Sequence, residues 1–154
     1  MRLLLVLLAA SLCAQEAHYR THDGVQLNDL TYTPGAVSGM TKDQLCDPAF
    51  RTGTVRNVSS ETKRRVCEEY GIAKEHCNGR EYEIDHLLPI EVGGSNDIEN
   101  LWAQPIDQAR RKDVLENVEK KRVCHGSATL DDIQSALSTD WYAEYLKLGL
   151  DKEK

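Results

Sequence analysis

The adjacent residues Asp85 and His86 are a pair whose types could do chemistry together. Asp85 could supply a hard oxygen ligand to a divalent cation. His86, with an ordinary pKa of about 6.5, could take a proton from water at neutral pH. Neighbouring side chains of a strand point to opposite faces, so both can serve one site only where the strand ends or bends, and Pro89 suits that. Without further context, an Asp-His dipeptide is more often a surface or turn pair.

The residues around this pair supply the context. Asp85 and His86 are followed in order by Pro89, the loop pair Gly93-Gly94 and the pair Asn100-Leu101. This pattern resembles the HNH nucleases, also called ββα-metal or His-Me finger nucleases. Short exported bacterial members are especially similar, and the resemblance covers roughly residues 45–145. The segments shared with that group are 82–87, 93–96, 100–102, 112–116 and 123–126, with weaker likeness at 56–59 and 70–71.

The resemblance implies a mechanism for cutting a phosphodiester bond. His86 is expected to be the general base that activates a water molecule. Asp85 is expected to hold one divalent cation, which would stabilise the developing charge and the leaving oxygen. Asn100 is expected to hold the loop between two strands and so fix His86. Glu83 shares a strand face with Asp85, and it either orients His86 or is a solvated strand carboxylate.

The chain departs from the family pattern in the helix that follows. Ala109 occupies a position where many HNH nucleases place a His or Asn metal ligand, and alanine cannot bind metal. Asp113 lies one helical turn later and Glu116 three residues further, so both share a helical face and could replace that ligand. With Asp85 they would form an oxygen-rich site, which favours Mg²⁺ or Mn²⁺ over zinc. Alternatively, both belong to a solvated acidic face or pair with nearby lysines.

The formal net charge of −6 argues against a nucleic-acid-binding protein, because such proteins use positive charge to neutralise phosphates. The field that matters, however, is the local one at the cleft. Arg111 and Lys112 make the start of the helix basic, and Lys112 is predicted either to contact phosphate or to be solvated. The expected partner is nucleic acid, with DNA favoured over RNA and with little sequence preference. For Trp102 and Trp141, core packing is favoured over base stacking.

Periodicity and turn residues predict an α+β fold around these residues. Its centre is a ββα-metal core, a two-stranded antiparallel hairpin plus a helix, and flanking helices supply the rest of the hydrophobic core. Ser59 or Ser60 is expected to cap a helix that ends at Gly71, and Thr129 to cap the last helix. The predicted elements are a helix at 60–70, strands at 81–90 and 98–103, a helix at 107–122 and a helix from 129.

The first 14 residues have the order of a secretory signal peptide. Arg2 is followed by the apolar run LLLVLLAA, which is too short to cross a bilayer, and by small or weakly polar residues up to Ala14. A buried N-terminal helix is the alternative. We expect a flexible extension over 15–44, with a short strand at 26–32, and an HNH-like domain over 45–150. The mature chain is expected to be secreted or periplasmic, without stable membrane association.

Signal cleavage would remove Cys13 and leave four cysteines. An even number in an exported chain indicates two disulfides, for which three pairings are possible. A zinc site is the less favoured reading, because no CxxC pair is present. The related short exported proteins often carry only the counterparts of Cys46 and Cys124, so the resemblance implies the pairs Cys46–Cys124 and Cys67–Cys77.

Three functions are consistent with these sequence features. The leading hypothesis is an exported, metal-dependent endonuclease that hydrolyses phosphodiester bonds with His86 as its base. The alternative is a secreted binding module that keeps the HNH scaffold without catalysis, which Ala109 and the acidic net charge favour. A third reading is a small disulfide-stapled structural protein with a fortuitous Asp-His pair.

Overall fold

The computed structural model describes residues 18–152, so the predicted signal peptide at 1–14 lies outside the described residues. The described part is a mixed α+β structure, as predicted. It contains two small antiparallel sheets and two short 3₁₀ turns besides its helices. The elements are β1 (Arg20–His22), β2 (Val25–Leu27), α1 (Lys42–Leu45), α2 (Thr52–Val55), α3 (Ser60–Glu69), β3 (Tyr82–His86), β4 (Leu101–Pro105), α4 (Ile106–His125) and α5 (Leu130–Lys147), with 3₁₀ turns at Ile90–Val92 and Ile98–Asn100.

The centre of the fold is a hairpin of β3 and β4 followed directly by α4. The two strands are antiparallel, with Tyr82 opposite Pro105 and His86 opposite Leu101. Pro105 ends β4 and stands immediately before the first residue of α4, where its fixed φ suits the start of a helix. Gly126 ends α4 in the left-handed conformation, with φ of 76°, which glycine adopts without strain. A strand–loop–strand–helix unit therefore surrounds Asp85 and His86.

The hydrophobic core lies between this hairpin, α3, α4 and α5. Trp102 of β4 and Trp141 of α5 are fully buried, and so are Tyr70, Leu115 and Leu137. The core-packing interpretation of both tryptophans is thus the one the structure supports. Large apolar side chains of this core therefore fix β3, β4 and the loop between them.

The predicted helix caps are present. The Ser59 hydroxyl accepts a hydrogen bond from Thr62 N at 3.0 Å, and the Thr129 hydroxyl accepts one from Asp132 N at 3.1 Å. A break inside α5 was not predicted. Asp140 there is extended, with φ of −164° and ψ of 91°, and its carboxylate accepts from Ala143 N at 2.8 Å. Asp140 thus acts as an internal cap that restarts the helix.

Residues 18–44 pack more closely than the flexible extension expected for 15–44. The strands are β1 and β2 rather than one strand at 26–32, and Val25 and Leu27 are buried. Thr33 is also buried, and its hydroxyl donates to Leu101 O at 2.8 Å. A polar, glycine-containing composition suggested mobility, but the buried polar groups find hydrogen-bond partners within the segment and on β4 that the local sequence does not reveal.

Two disulfides link the helices to other parts of the fold: one joins the end of α1 to α4, and the other joins α3 to the turn before β3. Cys46 pairs with Cys124 and Cys67 with Cys77, which are the pairs expected from the resemblance. Their Cα–Cα distances are 5.4 and 6.2 Å, within the usual range. Between residues 18 and 152 no helix combines the length and apolar character needed to cross a membrane. The two disulfides are compatible with an extracellular location.

Candidate active site

Asn100 holds the loop that opens at the end of β3. It is fully buried, and its Oδ1 accepts from Leu88 N at 2.9 Å. Its Nδ2 donates to Leu88 O and to Ser95 O, each at 2.9 Å. The side chain therefore takes the place of a backbone partner just beyond the sheet. These contacts are the ones that the role expected for Asn100 requires, since Leu88 lies two residues after His86.

The Gly93-Gly94 pair lets the same loop fold tightly. Gly93 has φ of 82°, in the left-handed region that favours glycine. At Gly94 an added Cβ would overlap the carbonyl oxygen of Leu88 and lie 2.8 Å from Asn100 Nδ2. Only glycine fits there without moving the contacts that Asn100 makes.

His86 lies at the end of β3 with its ring held from both sides. It is 2% exposed, and its Nε2 lies 3.1 Å from Asn96 Oδ1. Asn96 Nδ2 donates to Val55 O at 2.8 Å and Oδ1 accepts from Asn57 N at 3.1 Å, which fixes the orientation of the amide. Because Oδ1 only accepts, we assign the proton of neutral His86 to Nε2. The lone pair then lies on Nδ1, 3.5 Å from Arg56 Nη1.

The surroundings of His86 keep the imidazole neutral. Its pKa is lowered, chiefly by burial, and the positive charges of Arg56 and Lys112 lower it further. The bond to Asn96 and the charge of Asp85 act in the opposite direction but do not outweigh burial. A neutral imidazole has a lone pair available at neutral pH, which is the form that a general base needs.

Lys112 lies inside the protein rather than on its surface. It is 1% exposed, and its Nζ donates to His86 O at 2.7 Å, to Asp85 Oδ2 at 2.8 Å and to Glu116 Oε1 at 2.7 Å. Burial acts to lower its pKa, but the two carboxylates outweigh it and raise the pKa, so the ammonium stays charged. Two alternatives were predicted for Lys112, a contact with phosphate or a solvated side chain, and its position matches neither. The reason is that Asp85 and Glu116 draw the ammonium inward, whereas Arg111 is exposed.

The predicted acidic residues are brought to one region. The pKa of Asp113 is raised by burial and then by the charge of Asp85. The pKa of Glu83 is raised by burial and then by Asp85 and Asp113. Glu116 is more deeply enclosed, and burial raises its pKa to about 7. The charge of Asp85 contributes to each of these three shifts, so the three carboxyl groups lie within electrostatic reach of Asp85.

The carboxylates around Asp85 fit a divalent cation only in part. Carboxylate oxygens are the hard ligands that Mg²⁺ and Mn²⁺ prefer, and the buried Oε2 of nearby Glu91 has no donor within residues 18–152. Yet over the same residues no three His, Cys, Asp or Glu side chains stand close enough together to hold a metal ion. One oxygen of Asp85 and one of Glu116 are instead bonded to Lys112. As they stand, the residues do not form a metal site, and the cation between them is an ammonium.

Two contributors have no role in the sequence-based mechanism. Asn96 fixes the His86 ring, and Arg56 places an exposed guanidinium beside Nδ1. Both lie in segments that entered the sequence-based resemblance, and that resemblance was the available signal. Their contacts could not be deduced from spacing. The arrangement couples a proton acceptor to a group that binds anions.

Comparisons with protein-family models, curated proteins and solved structures gave no match for this chain. The chemistry of the site therefore rests on its own geometry. In that geometry His86 Nδ1 lies beside the Arg56 guanidinium. Lys112 contacts the His86 carbonyl and the carboxylates of Asp85 and Glu116.

Proposed function

We propose that the chain is an exported endonuclease that hydrolyses phosphodiester bonds of nucleic acid, with His86 as its general base. One observation carries the proposal. The imidazole is buried with a lowered pKa, Asn96 holds its Nε2, and its Nδ1 lies beside the guanidinium of Arg56. A base next to an anion-binding group is what attack of water on a phosphodiester requires.

Each residue then has a part in the hydrolysis. His86 Nδ1 takes a proton from the attacking water, whose oxygen bonds to phosphorus. The bond from phosphorus to the leaving sugar oxygen breaks, and solvent protonates the leaving oxygen. Arg56 neutralises charge on the phosphate, and its charge adds to burial in lowering the pKa of His86. Lys112 fixes the His86 carbonyl and Asp85, and Asn100 fixes the loop, so the base is held in place before substrate binds. Such preorganisation is the main source of catalysis in polar sites.

The need for a divalent cation stays a prediction from the resemblance. Mg²⁺ or Mn²⁺ would be held by Asp85 together with Asp113 or Glu116, and it would stabilise the charge that develops on the leaving oxygen. No step proposed above passes through the cation, because the carboxylates are bonded to Lys112 or lie apart.

A second candidate function is a secreted binding module that has lost catalysis. The observation that favours it is the position of Lys112, which neutralises the carboxylates expected to bind metal, together with Ala109 at the position of a common ligand. Such a module would bind nucleic acid without cutting it.

Nicking of supercoiled plasmid by the purified chain separates the two functions. Parallel reactions contain Mg²⁺, Mn²⁺, Ca²⁺ or EDTA. The nuclease proposal expects open circular and linear products with Mg²⁺ or Mn²⁺. Loss of the products in EDTA would support the predicted cation, and persistence would assign the catalysis to the protein side chains alone. Intact plasmid in every reaction, together with intact single-stranded circular DNA under the same conditions, would favour the binding module.

A further inference from the structure

A groove of about 680 Å³ runs between α3 and β3. One wall is the exposed face of α3, the other is β3, and the Cys67–Cys77 disulfide closes one side. Glu83 and Ile84 line it, and they directly precede Asp85 and His86 on the same strand. The groove therefore leads along β3 toward the candidate active site.

The rim of the groove is basic although the protein is acidic. Lys63, Arg64 and Lys74 line it and are exposed. Arg64 pairs with Glu68, which also lines the groove, but within residues 18–152 neither lysine pairs with a carboxylate. The enclosing segment 51–80 holds seven Lys or Arg against four Asp or Glu, in a chain of net charge −6. With the carboxylate that β3 contributes, the lining holds three cations and two anions, and the two unpaired ammonium groups supply the excess positive charge that suits a polyanion.

The floor of the groove is apolar and aromatic. Ile72, Tyr82 and Ile84 line it, and Tyr82 and Ile84 are partly exposed. A nucleic-acid duplex keeps its base faces stacked inside and presents phosphates outside, so its bases would not contact the apolar floor. A single strand combines phosphates for the lysines with base faces for the apolar and aromatic side chains.

We propose that this groove binds single-stranded nucleic acid, with Lys63 and Lys74 on phosphates and Tyr82 against a base. The nucleic-acid interface is thereby placed on α3 and β3 rather than on Arg111 and Lys112 of α4. The proposal rests on the proposed function only in that the bound strand is cut at His86. Binding itself is independent of cleavage.

Binding of a fluorescein-labelled oligothymidylate, measured by fluorescence anisotropy, tests this groove. The full chain carries His86→Ala, so that no cutting occurs, and circular dichroism verifies its fold. Adding Lys63→Glu and Lys74→Glu is expected to raise Kd at least about tenfold and to make the salt dependence of log K shallower by about 1.4, for two lost phosphate contacts. The matched control, Lys121→Glu with Lys152→Glu, makes the same charge change outside the groove and is expected to change Kd less than about twofold.

The proposal is overturned if both double variants weaken binding equally, since general electrostatics then suffices. It is also overturned if the parent binds no oligothymidylate, or if a duplex or polyglutamate of equal charge competes as well as the single strand. Tyr82→Leu keeps the floor apolar and is expected to weaken binding about three- to tenfold through lost stacking. Groove-dependent binding by a chain that, with His86 intact, cuts neither plasmid nor single-stranded circular DNA would leave this proposal standing and refute the nuclease. Cutting of single-stranded circular DNA that is insensitive to the lysine variants would do the reverse.

Discussion

Arg56 controls the nitrogen of His86 that would act as the base. Its Nη1 lies 3.5 Å from Nδ1, and its charge adds to burial, the largest cause, in lowering the pKa of His86. Below its pKa, an imidazole is protonated and cannot accept a proton. A lowered pKa therefore extends activity to more acidic solution than the ordinary value of about 6.5 allows.

Arg56→Gln is expected to move the acid limb of the pH–rate profile to higher pH. Removing the positive charge favours protonation of His86, so kcat/KM at pH below about 6.5 falls more than it does at pH 8. Profiles between about pH 5 and pH 8 measure the inflection. Arg80→Gln, an exposed change elsewhere, is the control and keeps the wild-type inflection. An unchanged inflection in Arg56→Gln would contradict the assignment of Nδ1 as the base.

Lys112→Met is expected to lower the free energy of unfolding by about 3–5 kcal/mol, because it leaves two enclosed carboxylates without their partner. Urea denaturation at neutral pH measures the change. Lys121→Met, on an exposed position of the same helix, is expected to change stability by less than about 0.5 kcal/mol. Equal effects of the two substitutions would show that the ammonium does not bridge α4 to β3.

At the scale of single residues, the sequence identified the residues that could do chemistry but not the groups that contact them. Asp85, His86 and Asn100 are recognisable from order and spacing. The tautomer of His86 depends on Asn96, which is oriented by backbone groups about 40 residues away in sequence. The burial of Lys112 depends on a contact with β3, 26 residues earlier. No local pattern encodes such pairings.

The loop between β3 and β4 is the element that sets the geometry of the site. Gly94→Ala is expected to destabilise the protein by at least about 3 kcal/mol, since the new Cβ overlaps Leu88 O and displaces Asn100. Gly53→Ala is the matched control, because its Cβ meets nothing within 4 Å, and it is expected to be neutral or slightly stabilising. Melting temperatures and urea midpoints measure both. Tolerance of alanine at Gly94 would refute the tight packing of this loop.

Element types were predictable where the pattern is strong and local. The ββα order, α3 and α4 follow from capping residues, apolar spacing and turn pairs. The second strand lies at Leu101–Pro105 rather than 98–103, because a 3₁₀ turn occupies Ile98–Asn100. The β1–β2 hairpin and the break at Asp140 depend on tertiary contacts, which periodicity does not report.

In the whole molecule the two disulfides close loops of different length. The bond Cys46–Cys124 spans 78 residues and Cys67–Cys77 spans 10. By loop entropy, removing the first with paired serine substitutions should cost about 4.5 kcal/mol, and removing the second about 2.7 kcal/mol. Urea denaturation of the two double variants compares them. A larger loss from the short loop would contradict this entropic ordering.

The net charge of the whole chain is a poor guide to its partner. The basic segment 51–80 borders the groove and contains Arg56, whereas the remaining residues are strongly acidic. An acidic molecule can therefore attract a nucleic acid at one face, with an affinity that falls steeply as salt rises.

Cleavage of nucleic acid by His86→Ala, with and without added imidazole, tests the central claim most directly. If His86 is the general base, the variant loses about 10²- to 10⁴-fold in rate, and imidazole restores part of it by entering the space left by the ring. His125→Ala, at the exposed end of α4, is the control and retains the wild-type rate. A folded His86→Ala protein that cuts as fast as the wild type would contradict the account.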